Sequence, residues 1–222
     1  MKSQAVARSV VAVLTVAAAM TVTSCASKPK RTTPKLSELE GRKVALVEVE
    51  AETTQRQMIE VALVNQLVRD GSFELISKQA IDEARRAPEI SPDDWKALAK
   101  KAGAEVALRA RVVEMEAKDH KGWTRIEKED SLLAAEQGES ARKSKQLVRA
   151  QSLEGRVQIE LAFTDLITSE NPDTETRKAI AEATETVSSD QSQGPIQLPA
   201  KMRFLEKLVN RAFADFFEKY RD

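Results

Sequence analysis

Residues 91–112, SPDDWKALAKKAGAEVALRARV, contain the change of periodicity that decides the fold. Ser91 is the expected N-cap of a helix, and Pro92 occupies its first position, followed by acidic residues at the positive end of the helix dipole. The next apolar residues have helical spacing: Trp95, Leu98, Ala99 and Ala102. Gly103 ends that pattern, and a period of two follows: Val106, Leu108, Ala110 and Val112. We therefore predict a short helix that runs directly into a strand.

The sequence on both sides of this stretch contains further helices and strands. Four are predicted before it: a strand over 42–49, a helix that is capped by Thr53 or Thr54 and runs to Asp70, a strand over 73–76 and a helix over 78–86. Three are predicted after it: strands over 157–163 and 178–187, then an amphipathic helix over 200–219. Residues 178–187 also fit a helix, but their threonines and valine favour a strand.

The order of these elements predicts an α/β fold, a single mixed β-sheet of about four to five strands with packed helices and a C-terminal amphipathic helix. Gly71 stands where the first long helix should end in the left-handed conformation. The expected apolar face of the last helix contains eight residues: Met202, Leu205, Leu208, Val209, Ala212, Phe213, Phe216 and Tyr220.

The N-terminal residues are typical of a secretory signal. Lys2 and Arg8 precede an uncharged apolar run over 10–22, which is too short for the roughly 20 residues of a membrane-spanning helix. Val22-Thr23-Ser24-Cys25 then resembles the lipobox of bacterial lipoproteins, in which signal peptidase recognises the first three residues and the cysteine is acylated, for example with palmitate. The alternative, a buried or incidental thiol, explains neither the position of Cys25 nor its flanking sequence.

This interpretation divides the chain into three parts. Residues 1–24 are the signal peptide, 25–41 the acylated cysteine with a flexible tether, and 42–222 the α/β domain. Neither Ala26 nor Ser27 is the aspartate that resembles an inner-membrane retention signal, so we expect an outer-membrane anchor and a domain that faces the periplasm. Acyl chains bind membranes strongly, at roughly 0.8 kcal/mol per buried methylene.

Several stretches resemble the curli-secretion (CsgG-like) family of bacterial lipoproteins. The similar residues are RKVALV at 42–47, LVNQLVRDGSFELI at 63–76 and WKALAKKAGA at 95–104, which leads into the strand at 105–112. Residues 155–219 fit the family more loosely. The chain departs from it at Val49-Glu50, where the family has proline and phenylalanine, and at 165–170, where it has an Asp…Thr-Gly turn.

The resemblance implies non-catalytic roles. Relatives include a nonameric outer-membrane pore and lipoproteins that activate penicillin-binding proteins. The residues themselves suggest no enzyme, cofactor or metal site, because His120 is the sole histidine and no phosphate-binding or nucleophile motif occurs. We expect His120 to be a solvated loop residue and Trp95 to belong to the core. Trp123, among charged residues, is the candidate partner contact.

The segment over 117–154 is the most distinctive part of the domain, with 14 charged residues between Lys118 and Arg149. Two interpretations stay open: a mobile charged insertion, or a helical arm that grips a partner. Its charges and the shortness of the connection over 168–177 do not suit a membrane hairpin, so we expect no pore and no conductance. A subunit of a curli-type secretion channel is the alternative function.

The composition excludes one class of partner. The chain is formally neutral, and removal of Lys2 and Arg8 with the signal leaves a net charge of −2. A protein that binds nucleic acid is expected to carry an excess of positive charge instead. The sequence therefore predicts a non-catalytic outer-membrane lipoprotein that faces the periplasm and binds envelope proteins. Its role would lie in envelope assembly or in regulation of cell-wall synthesis, with its oligomeric state left open.

Overall fold

A computed structural model describes residues 36–91, 94–129, 143–167, 176–192 and 194–221 of the 222-residue chain, all within one structural unit. The described elements are a 3₁₀ helix (Leu36–Leu39), β1 (Lys43–Glu50), α1 (Thr53–Asp70), β2 (Glu74–Leu75), α2 (Lys78–Arg85), α3 (Trp95–Lys101), β3 (Val106–Glu129), β4 (Lys143–Asp165), β5 (Thr176–Asp190) and α4 (Lys201–Lys219). This confirms the predicted α/β class with a C-terminal amphipathic helix.

The strands of the described residues form one mixed sheet in the order β2-β1-β3-β4-β5. β1 is parallel to both of its neighbours, β2 and β3, while β4 is antiparallel to β3 and β5. Parallel neighbours need a crossover, and α1 supplies it between β1 and β2. Arg42 fixes the base of the sheet, because its Nη1 and Nη2 atoms each lie 2.7 Å from a carboxylate oxygen of Asp165, at the end of β4.

The main core lies between the sheet and helices α1 and α4. On α4, eight side chains are buried: Phe204, Leu205, Leu208, Val209, Ala212, Phe213, Phe216 and Phe217. The predicted face of this helix was wrong at Met202, which is 46% exposed, and it omitted Phe204 and Phe217. Gly155 of β4 explains the difference, because it leaves room on the sheet that the ring of Phe204 fills.

A smaller core on the other face of the sheet lies under α2 and α3. Trp95, which was expected in the core, packs against this cluster from its edge and is half-buried. The predicted N-cap was wrong, because α3 begins at Trp95 and Asp94 caps it by accepting a hydrogen bond from Ala97 N. The N-cap of α1 is Glu52, not Thr53 or Thr54, although the C-terminal Gly71 has the expected positive φ of 68°.

Both interpretations of the charged segment were wrong in its described parts. β3 and β4 continue through residues 117–129 and 143–154 as one antiparallel pair, with matched residues as far as Glu129 and Lys143. Residues 130–142 lie outside the described residues. Backbone hydrogen bonds between the two strands are indifferent to side-chain charge, and β-branched Thr124, Ile126 and Val148 favour the extended conformation. The ambiguous residues 178–187 are a strand, as predicted.

Candidate interaction surfaces

The predicted lipidation site lies outside the described residues. This holds for Cys25 and for the residues expected to guide signal peptidase, Val22, Thr23 and Ser24. Among the helices in the described ranges, none combines the length and the hydropathy that a bilayer span requires. The helices of the folded domain leave two features open, the far end of the β3–β4 pair and the edge of β1.

The distal arm is the part of β3 and β4 beyond the start of α4, residues 120–129 and 143–152. Trp123 lies on it with 61% of its surface exposed, as expected from its charged neighbours. The guanidinium carbon of Arg149, its cross-strand partner, is 5.5 Å from the centre of the Trp123 ring, within cation–π range. Leu147 on the same face is 55% exposed. Whether Trp123 contacts a partner stays a prediction.

Strand alternation and register group the side chains around Trp123 into one surface, the basic face. Its described members, besides Trp123 and Leu147, are Lys121, Arg125, Glu127, Lys145, Arg149 and Gln151. The face therefore carries four cations and one carboxylate. At its near end it meets α4, where Lys201 Nζ lies 2.6 Å from Asp119 Oδ2.

The opposite face of the distal arm is less exposed. Thr124 and Ile126 are partly covered, and Val148 is only 9% exposed. His120 is exposed, as predicted, but it lies on β3 and not in a loop; its Nε2 is 3.3 Å from Glu154 Oε2. Within the described ranges, no three histidine, cysteine, aspartate or glutamate side chains converge as metal ligands would.

The second surface begins at an irregularity in β1. Val47 is an extra residue in the pairing with β3, which places Val47 and Glu48 on the same side of the sheet. This β-bulge orients Glu48 and Glu50 toward Arg109, whose Nη2 lies within 2.6 Å of an oxygen of each carboxylate. It also turns the carbonyl of Val47 outward, where Arg85 Nη2 donates to it at 3.2 Å.

Beyond the bulge, β1 has an open edge. β2 pairs with only Lys43 and Val44, so the described residues provide no strand partner for the β2-side edge from Leu46 to Glu50. A groove of about 550 Å³ follows this edge between α1 and α2. Seven apolar residues line it: Leu46, Val47, Val49, Val64, Leu75, Ile76 and Ile81.

Polar side chains and exposed valines surround this edge groove. Lys78 at the start of α2 donates to Glu60 on α1, with 3.0 Å between Nζ and Oε2, so an ion pair spans the groove. Val61 and Val68, which are 62% and 65% exposed, stand within one helical turn of Val64 on α1. The groove is thus continuous with an exposed apolar row, an arrangement suited to binding protein.

Sequence reasoning identified Trp123 but missed the basic face around it and the groove beside β1. Lys121 and Arg125 are four residues apart, a spacing that puts them on one face of a strand, so the basic face could have been inferred once 118–129 were assigned to β3. The groove had no such signal, because it depends on the bulge at Val47 and on the shortness of β2, which no local pattern indicates.

Comparisons with known proteins assign neither a family nor a function to the chain. No protein-family model matches the chain, and no curated protein matches its sequence. Among solved structures, the hypothetical protein CT253 from Chlamydia trachomatis is similar, with 11% identity, a TM-score of 0.38 and coverage of 82% of this chain and 96% of that one.

Two other structures are similar at the same level. A dodecamer of a PelC variant from Paraburkholderia phytofirmans has 14% identity and a TM-score of 0.36, with 82% and 92% of the two chains covered. Lipoprotein GNA1162 from Neisseria meningitidis has 9% identity and a TM-score of 0.37, with 80% and 99% covered. Similarity this low assigns neither a family nor a function, so the CsgG-like resemblance stays a prediction.

Proposed function

We propose that this protein is a non-catalytic, lipid-anchored protein of the outer membrane that faces the periplasm and binds an extended segment of an envelope protein. The edge groove carries this proposal, since it combines an unpaired strand edge with apolar pockets. Its role would be in envelope assembly or in the regulation of cell-wall synthesis.

The chemistry of the groove fits a peptide in extended conformation. A strand added beside β1 would continue the row that β2 begins, and main-chain hydrogen bonds would supply affinity for it. Alternate side chains of such a peptide would enter the apolar lining around Leu46 and Ile76, which supplies specificity. Arg85 already donates to the carbonyl of Val47, so binding would either retain that bond or replace it.

Site-specific photo-cross-linking in intact cells tests the groove. A photoreactive residue at Gln57, on the groove wall of α1, should give a discrete cross-link to an envelope protein. Asn65 is the matched control, because it is exposed on the same helix but is not part of the groove lining. Val64→Glu should abolish the cross-link from Gln57. Equal cross-linking from Gln57 and Asn65 would contradict a specific groove.

The lipid anchor rests on the lipobox at 22–25 and has its own test. Cys25→Ala should leave an unprocessed or soluble protein, because neither acylation nor cleavage before the cysteine can occur. Membrane fractionation with labelled palmitate measures both effects, and Ser27→Ala serves as the control that stays acylated. A Cys25→Ala protein that remains processed and membrane-bound would show that this assignment is wrong.

The non-catalytic part of the proposal is supported by the kind of residues that the two surfaces contain. The edge groove is lined by aliphatic side chains and by polar ones that include the Lys78–Glu60 ion pair, and His120, on the opposite face of the distal arm, is paired with Glu154. Hydrolase assays with envelope-derived substrates on the purified protein should show no turnover. Turnover that disappears with a point variant of an exposed acid would refute this part of the proposal.

A further inference from the structure

We propose that the basic face of the distal arm docks on the anionic phospholipid headgroups of the membrane that holds the Cys25 anchor. This inference rests on the lipid anchor of the proposed function and adds a second contact with the same membrane. It concerns the orientation of the domain, because the acyl chains alone would hold the protein without fixing which face of the domain meets the membrane.

The first argument is the state of the charges. Elsewhere on the sheet, cations are neutralised by neighbouring carboxylates: Arg156 by Glu114 at 3.2 Å and Arg111 by Glu160 at 3.3 Å. On the basic face the pattern is different. No carboxylate in the described part of the chain lies within ion-pair distance of its four cations, Lys121, Arg125, Lys145 and Arg149. Because no described carboxylate, Glu127 included, forms an ion pair with them, these cations are available to an external anion.

The second argument is the kind of apolar residue on this face. Tryptophan is enriched at membrane–water interfaces, where its ring lies at the level of the headgroups. Trp123 and Leu147 stand at adjacent positions among the four cations and expose more than half of their surface. Basic residues around exposed tryptophan and leucine are typical of segments that lie on a membrane surface.

The third argument favours lipid over a protein partner. The basic face lies on β3 and β4, with β5 beside it only at Gln151, and its charges are spread along both strands. α4 extends it, because Met202 is 46% exposed and the neighbouring Lys201 and Arg203 are also exposed. A broad, mainly basic surface with scattered apolar side chains suits a layer of anionic headgroups better than one localised contact with a protein.

The size of the effect follows from the charges. Each cation close to an anionic leaflet increases membrane partitioning by roughly fivefold, and salt screens the attraction beyond a Debye length of about 10 Å at 0.1 M. Replacing Lys121 and Arg125 with glutamine should therefore shift the docking equilibrium by roughly thirtyfold. The net charge of the whole chain, formally zero, conceals this local excess.

Tryptophan fluorescence can test the contact directly, because the chain has only two tryptophans. In the full acylated chain, Trp95→Phe leaves Trp123 as the sole emitter. The probe is phosphatidylcholine vesicles with or without phosphatidylglycerol, and with brominated acyl chains as quenchers. With phosphatidylglycerol present, Trp123 emission should shift to shorter wavelength and be quenched, and high salt should reverse both changes. Pure phosphatidylcholine should leave the emission solvent-like.

Matched variants make the result specific. Lys121→Gln with Arg125→Gln should remove the shift while the protein still floats with the vesicles. The control, Arg69→Gln with Lys100→Gln, neutralises two exposed cations on α1 and α3 and should behave like the parent. Solvent-like emission on anchored phosphatidylglycerol vesicles would overturn docking but leave the anchor intact, and a cross-link from position 123 to an envelope protein would then assign the face to protein. Failure to float with either vesicle would contradict the anchor and the docking together.

Discussion

The near and far halves of the β3–β4 pair have the same backbone pairing but opposite surroundings. In the near half, Val157, Ile159 and Leu161 of β4 are fully buried beneath the helices. In the far half, side chains on the same face of the same strands, Trp123 and Leu147, are more than half exposed. Residue pairing continues through both halves to Glu129 and Lys143 without a further irregularity after Glu114.

The difference shows that helix cover, and not strand pairing, sets the limit of the core. The cover ends where α4 begins, next to Gly155 and Leu153, the last fully covered positions on β4. The charges follow the same division. Among the described residues, cations in the near half have carboxylate partners, whereas those on the basic face of the distal arm do not, which is why we assign stability to the near half and binding to the far half.

The largest expected contrast is between one aromatic residue from each half. Phe216 is 2% exposed, and its ring centre lies 6.3 Å from that of Phe163 and 5.6 Å from that of Phe217. Phe216→Ala should lower the free energy of unfolding by about 3–5 kcal/mol, since it removes buried surface and leaves a cavity. Trp123→Ala should change it by less than about 0.5 kcal/mol, as at other exposed sites.

Urea denaturation followed by circular dichroism measures both values. A harmless Phe216→Ala would mean that α4 does not dock on the sheet, and the distinction between the halves would fail. A large loss for Trp123→Ala would mean that the distal arm contributes to the core and is not reserved for binding.

Sequence reasoning predicted the near half and the elements packed around it well. Each of these elements has one face buried in the core, so its hydropathy follows the period of a helix or a strand. The strand at β1, the long α1 and the amphipathic α4 are where periodicity placed them. Even the ambiguous 178–187 proved to be part of β5, since buried Ala179, Ala181 and Ala183 alternate with exposed residues as a one-sided strand requires. In these elements the burial pattern and the local sequence carry the same information.

The far half escaped prediction for the same physical reason. Val148 is the one described side chain of the distal arm that is as buried as the core, so little imposes alternation on these residues, and their charge content resembled a mobile insertion. Only its long-range pairing with the opposite strand identifies the far half as part of the sheet, and amino-acid composition does not reveal such pairing. The bulge at Val47 and the cap at Asp94 were missed likewise, because both depend on how neighbouring elements meet.

A glycine from each half gives the next contrast. A Cβ atom on Gly155 would overlap Phe204 Cε1 and lie 2.5 Å from Leu208 Cδ1, both in buried side chains. Gly155→Ala should therefore cost about 1–3 kcal/mol through overpacking, although alanine suits a strand better than glycine. A Cβ atom on Gly122 of the distal arm would have no described atom within 4 Å, so Gly122→Ala should be neutral or slightly stabilising.

Thermal melts of both variants provide the measurement. Equal changes in melting temperature for the two variants would show that α4 does not pack as closely on Gly155 as the structure indicates. A double variant, Gly155→Ala with Phe204→Leu, should recover part of the loss, because the smaller side chain relieves the contact. No recovery would locate the cost in the strand itself.

The smallest expected contrast concerns acid. On β5, the hydrogen bond from Lys207 of α4, with 2.6 Å between Nζ and Oε1, holds the pKa of Glu185 below its ordinary value near 4.5. A carboxyl whose pKa is lower in the folded chain binds its proton later than in the unfolded chain. Its contribution to stability is therefore complete above about pH 4.5 and is lost as the pH falls through the folded-state pKa.

Melting temperatures between neutral pH and about pH 3 measure this contribution, in the range where carboxyl groups titrate. Glu185→Gln should lower the melting temperature slightly at neutral pH and reduce its fall in acid, because the Lys207 pairing no longer titrates. Lys207→Gln, which removes the hydrogen-bond donor and leaves the carboxyl group in place, should reduce the fall in acid in the same way. If neither variant changed the acid slope of the parent, the pairing of β5 with α4 would not contribute to folding, and the near half would owe its stability to apolar cover alone.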